Sequence, residues 1–272
     1  MTERDFVHRG FGGVAMPGDI APYVVLVPSR EESAAIAGTL ADARLVADHY
    51  AFLVWTGRVG DVRLTACSSG TGSASAAIAI EELAILGART FLGLGGTRDP
   101  LEPADAVLVA EGAFRADAAS LGYARAGFPA VPDVEVVMAA VAAVRASDVP
   151  LRHGIVADVD AELDALVGEP PRRSAAGRAL EDAIHEADAV PVHGSPAVLF
   201  VAGAVHGLRT GFLAADDTPT AQAGLRTVAL ATLLRLSSWD RAPDGEPLPF
   251  VERMAAMPPD AVSGAREDAL DP

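Results

Sequence analysis

The sequence predicts an α/β protein built on a mostly parallel sheet with helices on both faces. Three observations lead there. A chain of 272 residues, 50% hydrophobic and 21% charged, carries enough apolar material for one sizeable core. Short β-branched or apolar runs alternate with longer alanine-rich stretches of 3.6-residue periodicity. Such alternation favours parallel pairing, because parallel neighbours need a long crossover and the crossover helices then cover the sheet.

Taken in order, Tyr23–Val27 reads as a buried strand and Arg30–Leu40 as a helix. Phe52–Val59 and Asp61–Ser68 read as a hairpin turned at Gly60-Asp61. Ser73–Leu86 is a helix stopped by Gly87, and Thr90–Leu94 is the strand that follows. An extended stretch at Ala106–Glu111 precedes a helix at Asp133–Arg145, a strand near Gly154–Ala157 and a helix at Ser174–Glu186. A helix at Pro196–His206, a strand at Gly211–Ala215 and a helix at Thr220–Leu236 complete the series. From Ser237 onward the texture changes: six of the 19 prolines lie beyond Arg241, interleaved with acids. The expected division is therefore a folded domain over residues 1–237 and an irregular surface tail over 238–272.

Charge and composition exclude several function classes. Every one of the 21 basic residues is arginine, so Schiff-base, pyridoxal phosphate and P-loop chemistries, each of which needs a lysine amine, are ruled out. A formal charge of −16 without a basic cluster argues against nucleic acid as a partner. The single cysteine, Cys67, can form neither an internal disulfide nor a thiolate zinc site, which points to the cytoplasm. No signal peptide or membrane span is expected, and no metal or cofactor is implied.

Two glycine-rich segments are candidate ligand loops. Ser68-Ser69-Gly70-Thr71-Gly72-Ser73 follows a strand and opens a helix, a place where free backbone N–H groups can meet a ligand. It fails as a dinucleotide fingerprint, because Ser75 stands where the third glycine belongs and the next strand ends in Leu94-Gly95-Gly96 rather than an acid. The alternative is a turn needed only for tight packing. Gly93-Leu94-Gly95-Gly96-Thr97-Arg98-Asp99 reads as a second turn at a strand's carboxyl end, on the same rim as the first.

The order of segments then resembles a known family. Phe6-Val7-His8, Val27-Pro28, Ala47-Asp48-His49, Ser69-Gly70-Thr71-Gly72, the run Ile80–Leu92, Asp117–Ser120 and Phe128–Val131 are similar to the uridine phosphorylase branch of the nucleoside phosphorylases. The resemblance covers roughly Phe6 to Leu236 and leaves the acidic tail unmatched. It implies a three-layer α/β/α fold with a central mixed, mostly parallel sheet. It also implies a homo-oligomer, a dimer, trimer of dimers or hexamer, in which an N-terminal histidine, here His8, completes a neighbour's site. The implied ligand is a nucleoside or nucleoside-like small molecule, whose N-glycosidic bond is cleaved as phosphate attacks the anomeric carbon.

Carried over residue by residue, the family's phosphate clamp is missing. Its three arginine positions fall on Ser33, Tyr50 and Gly93. Each charge-assisted arginine contact is worth about 1.5–3 kcal/mol, so three losses forfeit several powers of ten in phosphate affinity. Ordinary phosphate-dependent cleavage is not expected. Arg30 and Arg98 stand three positions before and five after vacated sites as replacement anion ligands, or as surface arginines offsetting Glu31, Glu32 and Asp99.

The sugar-gripping Glu-Met-Glu falls on His193-Gly194-Ser195, but Ser195-Pro196 reads in the first place as an N-cap and first-turn proline. His193 can bind a hydroxyl or shuttle a proton, or be structural. Base recognition in the family maps onto Asp158–Arg173, which lacks the aromatic, glutamine and arginine that read uracil. Ala214-Ala215-Asp216-Asp217 resembles the purine branch's Val-Ser-Asp, making Asp216 or Asp217 the candidate general acid, with helix capping as the alternative.

The candidate site therefore comprises Asp216, Asp217 and His193 as catalytic groups. His8, His49, Ser69, Gly70, Thr71, Gly72, Gly95, Gly96, Thr97 and Ser195 line the substrate, and Arg30 and Arg98 hold an anion. Two readings follow: an enzyme acting on a glycosidic bond by transfer or hydrolysis, with no clear glutamate to activate water, or a repurposed member that binds a nucleoside-like ligand or partner subunit.

Overall fold

The computed structural model describes residues 15–98, 100–158 and 175–241. Within them lie strands β1 (Tyr23–Val27), β2 (Ala41–His49), β3 (Phe52–Val59), β4 (Val62–Ser68), β5 (Thr90–Gly96), β6 (Val107–Arg115), β7 (Leu151–Asp158), β8 (Val190–Pro191) and β9 (Arg209–Ala215). The helices are α1 (Arg30–Ala37), α2 (Ser73–Ile85), α3 (Ala119–Tyr123), α4 (Val134–Arg145), α5 (Ala175–Glu186), α6 (Pro196–His206) and α7 (Pro219–Trp239).

The strands form one sheet in the order β2-β3-β4-β1-β5-β9-β6-β7-β8. β4, β1, β5 and β9 run parallel, the β2–β3–β4 meander is antiparallel, and β6 meets β9 antiparallel before pairing parallel with β7. Period-2 alternation sorts the side chains into two cores. Val24 and Leu26 join α2 and α6 on one face, while Val25 and Val27 join α1, α4 and α7 on the other. The sheet is thus the middle of three layers, as expected.

The far half of the sheet curls. Thr97 bridges Val192 antiparallel, Arg98 N donates to Pro191 O at 3.1 Å, and His193 N donates to Gly96 O at 2.9 Å. These contacts return the β8 end onto the end of β5, so that β5-β9-β6-β7-β8 closes toward a partial barrel.

Most boundaries follow local chemistry. Ser29 and Glu32 form a capping box that starts α1. Thr218 caps α7 ahead of Pro219, and α7 runs through buried Trp239, past the boundary expected at residue 237. Gly87 takes φ +116° after α2, the stop its sequence signals.

Other expectations are corrected. The supposed turn beginning at Gly93 is strand: β5 extends to Gly96, and Gly93–Gly96 pair with Phe212–Ala215 of β9. Strand β2 went unforeseen because its Ala- and Asp-rich sequence has low β propensity; it is an edge strand held mainly by its ladder to β3. The extended stretch from Ala106 is a nine-residue strand carrying an irregularity between Ala110 and Gly112. Short α3 and β8 carried no periodic signal.

Candidate active site

The parallel strands β1, β4, β5 and β9 end at Val27, Ser68, Gly96 and Ala215, and Ser69–Gly72, Gly95–Thr97, Asp216 and Asp217 sit at or directly after these ends. The glycine loop is tied down there: Ser69 N donates to Val27 O at 2.8 Å, and Ser69 Oγ reaches Val27 O and Gly70 O. Gly70 takes φ +73°, and a Cβ on it would meet the Ala51 Cβ at 2.7 Å. The glycine is therefore required by the hairpin tip beside it, which also accepts from Ser68 Oγ at Ala51 O, 2.6 Å. Gly72 opens α2 without a side-chain cap, and Thr71 stands exposed.

At the end of β5 the fit is tighter. A Cβ on Gly95 would collide with the His193 carbonyl and come within 2.7 Å of Phe212 Cζ. Segment 192–195 thus lies directly along the β5 backbone, with His193 half-buried and Ser195 buried. Ser195 does not act as the expected side-chain cap. It adopts a left-handed conformation at φ +57°, its hydroxyl makes no capping bond, and its N–H donates to Asp158 Oδ2 at 2.6 Å. A buried carboxylate from β7 therefore approaches the segment where the resemblance places carboxylates. No local pattern in the sequence signals this, because it depends on the curl of the sheet.

Asp216 is half-buried, and its Oδ1 accepts from Thr97 Oγ1 at 2.8 Å and Leu101 N at 2.9 Å. Asp217 is exposed, its carboxylate resting against Gly96, where a Cβ would displace it. Neither caps α7, since Thr218 Oγ1 takes that role toward Ala221 N. Asp217 lies within electrostatic reach of Glu32, whose carboxyl is pushed above the usual range chiefly by burial, with Asp217 adding to the rise. Ser29 and Arg226 oppose that rise. Glu32 entered the sequence reading only as a charge partner. The Ser29-x-x-Glu32 capping pattern could have shown that it folds back over the end of β1.

Two of the three vacated arginine positions are sterically closed. Ser33 is buried and donates to Leu53 O at 2.8 Å. A Cβ on Gly93 would lie 2.8 Å from both Leu199 Cδ2 and Phe212 Cδ2. Tyr50 is 83% exposed at the hairpin tip, edge-on to His49. Arg30 spans to this tip, bonding Asp48 Oδ1 at 2.6 Å and Tyr50 O at 3.1 Å rather than Glu31 or Glu32. Arg98 is exposed. His8, Asp99 and residues 159–173 lie outside the described residues. Among the described residues no cluster of three or more His, Cys, Asp or Glu is placed to hold a metal ion, and no helix is long and apolar enough to cross a membrane.

Comparison with known proteins agrees with this architecture. A model of the phosphorylase superfamily matches residues 22–163. A uridine phosphorylase of Thermococcus kodakarensis is 33% identical over 207 residues, 73% of each chain. The uridine phosphorylase of Escherichia coli is 35% identical over 162 residues, 59% of this chain and 63% of that enzyme. A guanosine phosphorylase of Halorubrum lacusprofundi is 29% identical over 204 residues, 74% of this chain and 79% of that enzyme. With a superfamily match over half the chain and a relative this similar over nearly three quarters of it, the chain belongs to the phosphorylase superfamily, in the uridine phosphorylase branch of the nucleoside phosphorylases.

Proposed function

We propose that the protein acts on the N-glycosidic bond of a nucleoside or nucleoside-like substrate bound at the ends of β1, β4, β5 and β9. The observation that carries this reading is the convergence of the 69–72 loop, Gly95–Thr97, His193–Ser195 and Asp216 on one rim. Kinship with uridine and guanosine phosphorylases supports the substrate class.

In this reading the glycine loop and Gly95–Thr97 form the floor beneath the sugar, and His193 contacts a hydroxyl. Asp216, held by Thr97 and Leu101, delivers a proton to the leaving base. Charge growing on the sugar ring as the bond breaks is favoured by the carboxylates around it. His8 and His49 are assigned to the substrate pocket and Arg30 and Arg98 to its margin, within a homo-oligomer as in the resemblance.

The test is a panel of purine and pyrimidine nucleosides, incubated with and without inorganic phosphate and read by chromatography for free base. Release of base from at least one nucleoside is expected, falling about 100-fold or more in Asp216→Asn. Calorimetric binding of a nucleoside without release of base from any would replace this reading by the second one, a ligand-binding member. The changed residues at Ser33, Tyr50 and Gly93 favour that alternative.

A further inference from the structure

The C-terminal ends of α2 and α6 frame a groove of about 600 Å³ lined by Glu81, Ala84, Ile85, Arg89, His206 and Leu208. Arg89 and Leu208 immediately precede β5 and β9, so the groove lies at the opposite end of these strands from the candidate site. Large apolar side chains around it stand in water. Ile78 and Ile85, seven residues apart on one face of α2, are 45% and 52% exposed, and Val205 near the end of α6 is 49% exposed. The groove's carboxylate is already served: Tyr123 Oη donates to Glu81 Oε1 at 2.6 Å, and His206 Nε2 stands 3.9 Å from the same oxygen. Arg89 is exposed, with Nη1 donating to Ala84 O and Ala88 O at the end of α2. An occupant with an apolar centre and acidic flanks fits these surroundings.

We propose that this groove is the docking site of the chain's own segment Glu246–Glu252, whose sequence is Glu-Pro-Leu-Pro-Phe-Val-Glu. Three observations choose that occupant. The first is where α7 ends: Arg209 Nη1 donates to Asp240 Oδ1 at 2.7 Å and Arg209 N to Arg89 O at 3.0 Å, so residues 242–272 follow from a point tied to the groove's own lining. The second is reach. Leu248 is eight residues beyond Asp240, and eight extended residues span about 26 Å, ample to round the end of the sheet from the face of α7 to that of α2 and α6. The third is chemistry: Leu248, Phe250 and Val251 suit the apolar floor, and Glu246 and Glu252 flank them as partners for Arg89. Pro247 and Pro249 favour an extended backbone, which lowers the ordering cost of lying in a groove. The tether also gives this segment a local concentration that a free partner lacks. This surface is remote from the proposed substrate site, so the two assignments stand or fall separately.

The experiment is disulfide capture in the full chain. Val205→Cys with Val251→Cys places one thiol beside the groove and one in the segment, and leaves Ile85, Leu208, Leu248 and Phe250 in place. Ser238→Cys with Val251→Cys is the reference, closing a shorter loop at the end of α7. Val205 and Ser238 are exposed, so the fold is expected to tolerate both changes. Cys67 is fully buried and burial pushes its thiol up, which keeps it out of the exchange. Under oxidised glutathione the 205–251 disulfide should form within one chain roughly tenfold faster than the 238–251 disulfide. Adding Phe250→Asp should remove that advantage without slowing the reference pair. Without docking, the shorter loop would close at least as fast. Equal rates, indifference to Phe250→Asp, or a 205–251 disulfide formed between two chains, which would make a second copy the occupant, would overturn the proposal.

Discussion

Replacing Gly95 by alanine tests whether the 192–195 segment is pressed onto β5 as tightly as the geometry demands. The added methyl would lie 2.7 Å from Phe212 Cζ and collide with the His193 carbonyl, whereas real Cβ atoms essentially never approach within 3.0 Å. Phe212 is 1% exposed and has nowhere to swing, so the segment must lift. Lifting sacrifices the His193 N to Gly96 O bond at 2.9 Å and the Ser195 N to Asp158 bond at 2.6 Å. A neutral bond of this kind is worth about 0.5–1.5 kcal/mol and one to a carboxylate about 1.5–3 kcal/mol, giving a loss of about 2–4.5 kcal/mol. For a domain of this size that lowers the melting temperature by about 4–18 °C. The assay is thermal and urea denaturation at matched protein concentration. The control is Gly154→Ala, where a Cβ meets nothing within 4 Å. Gly95→Ala melting within a degree or two of the unaltered chain would refute the close approach.

Two further outcomes are expected away from that contact. Arg209 anchors Asp240 at the end of α7 and Glu135 at the start of α4, with the Glu135 side chain 3% exposed. Arg209→Met removes the guanidinium that pairs with this buried carboxylate, at a cost of about 3–5 kcal/mol, visible as a lower urea midpoint. Because Arg209 begins β9 and the site lies at its other end, ligand affinity of the folded variant should be unchanged. Glu32, raised by burial and by Asp217, favours the folded state most when protonated. Its contribution is present below the ordinary glutamate range and is lost as pH rises through its raised value. Stability of Glu32→Gln relative to the unaltered chain should therefore grow between about pH 4 and pH 7, and a constant difference across that range would contradict the assignment.

Where local chemistry is complete, the sequence was legible. Tyr23–Val27 and Pro196–His206 have the bounds expected, because an apolar run and a proline-started, glycine-ended helix carry their own signals. The α1 and α7 starts follow from Ser29 with Glu32 and from Thr218 with Pro219. The rim itself could be located, since strand-to-helix glycine loops lie at the carboxyl ends of parallel strands whatever else the chain does.

The occupants of that rim were another matter. Arg30 turning to Asp48 depends on edge strand β2, whose pairing with β3 stabilises a sequence of poor intrinsic propensity. Asp158 reaching Ser195, and His193 lying on Gly95, depend on β8 closing back toward β5. The sequence alone thus determined the layers, the family and the absence of the usual arginines. Only the tertiary structure decided which acceptors hold the remaining donors, because hydrogen bonds between residues far apart in the chain are set by how the sheet curls.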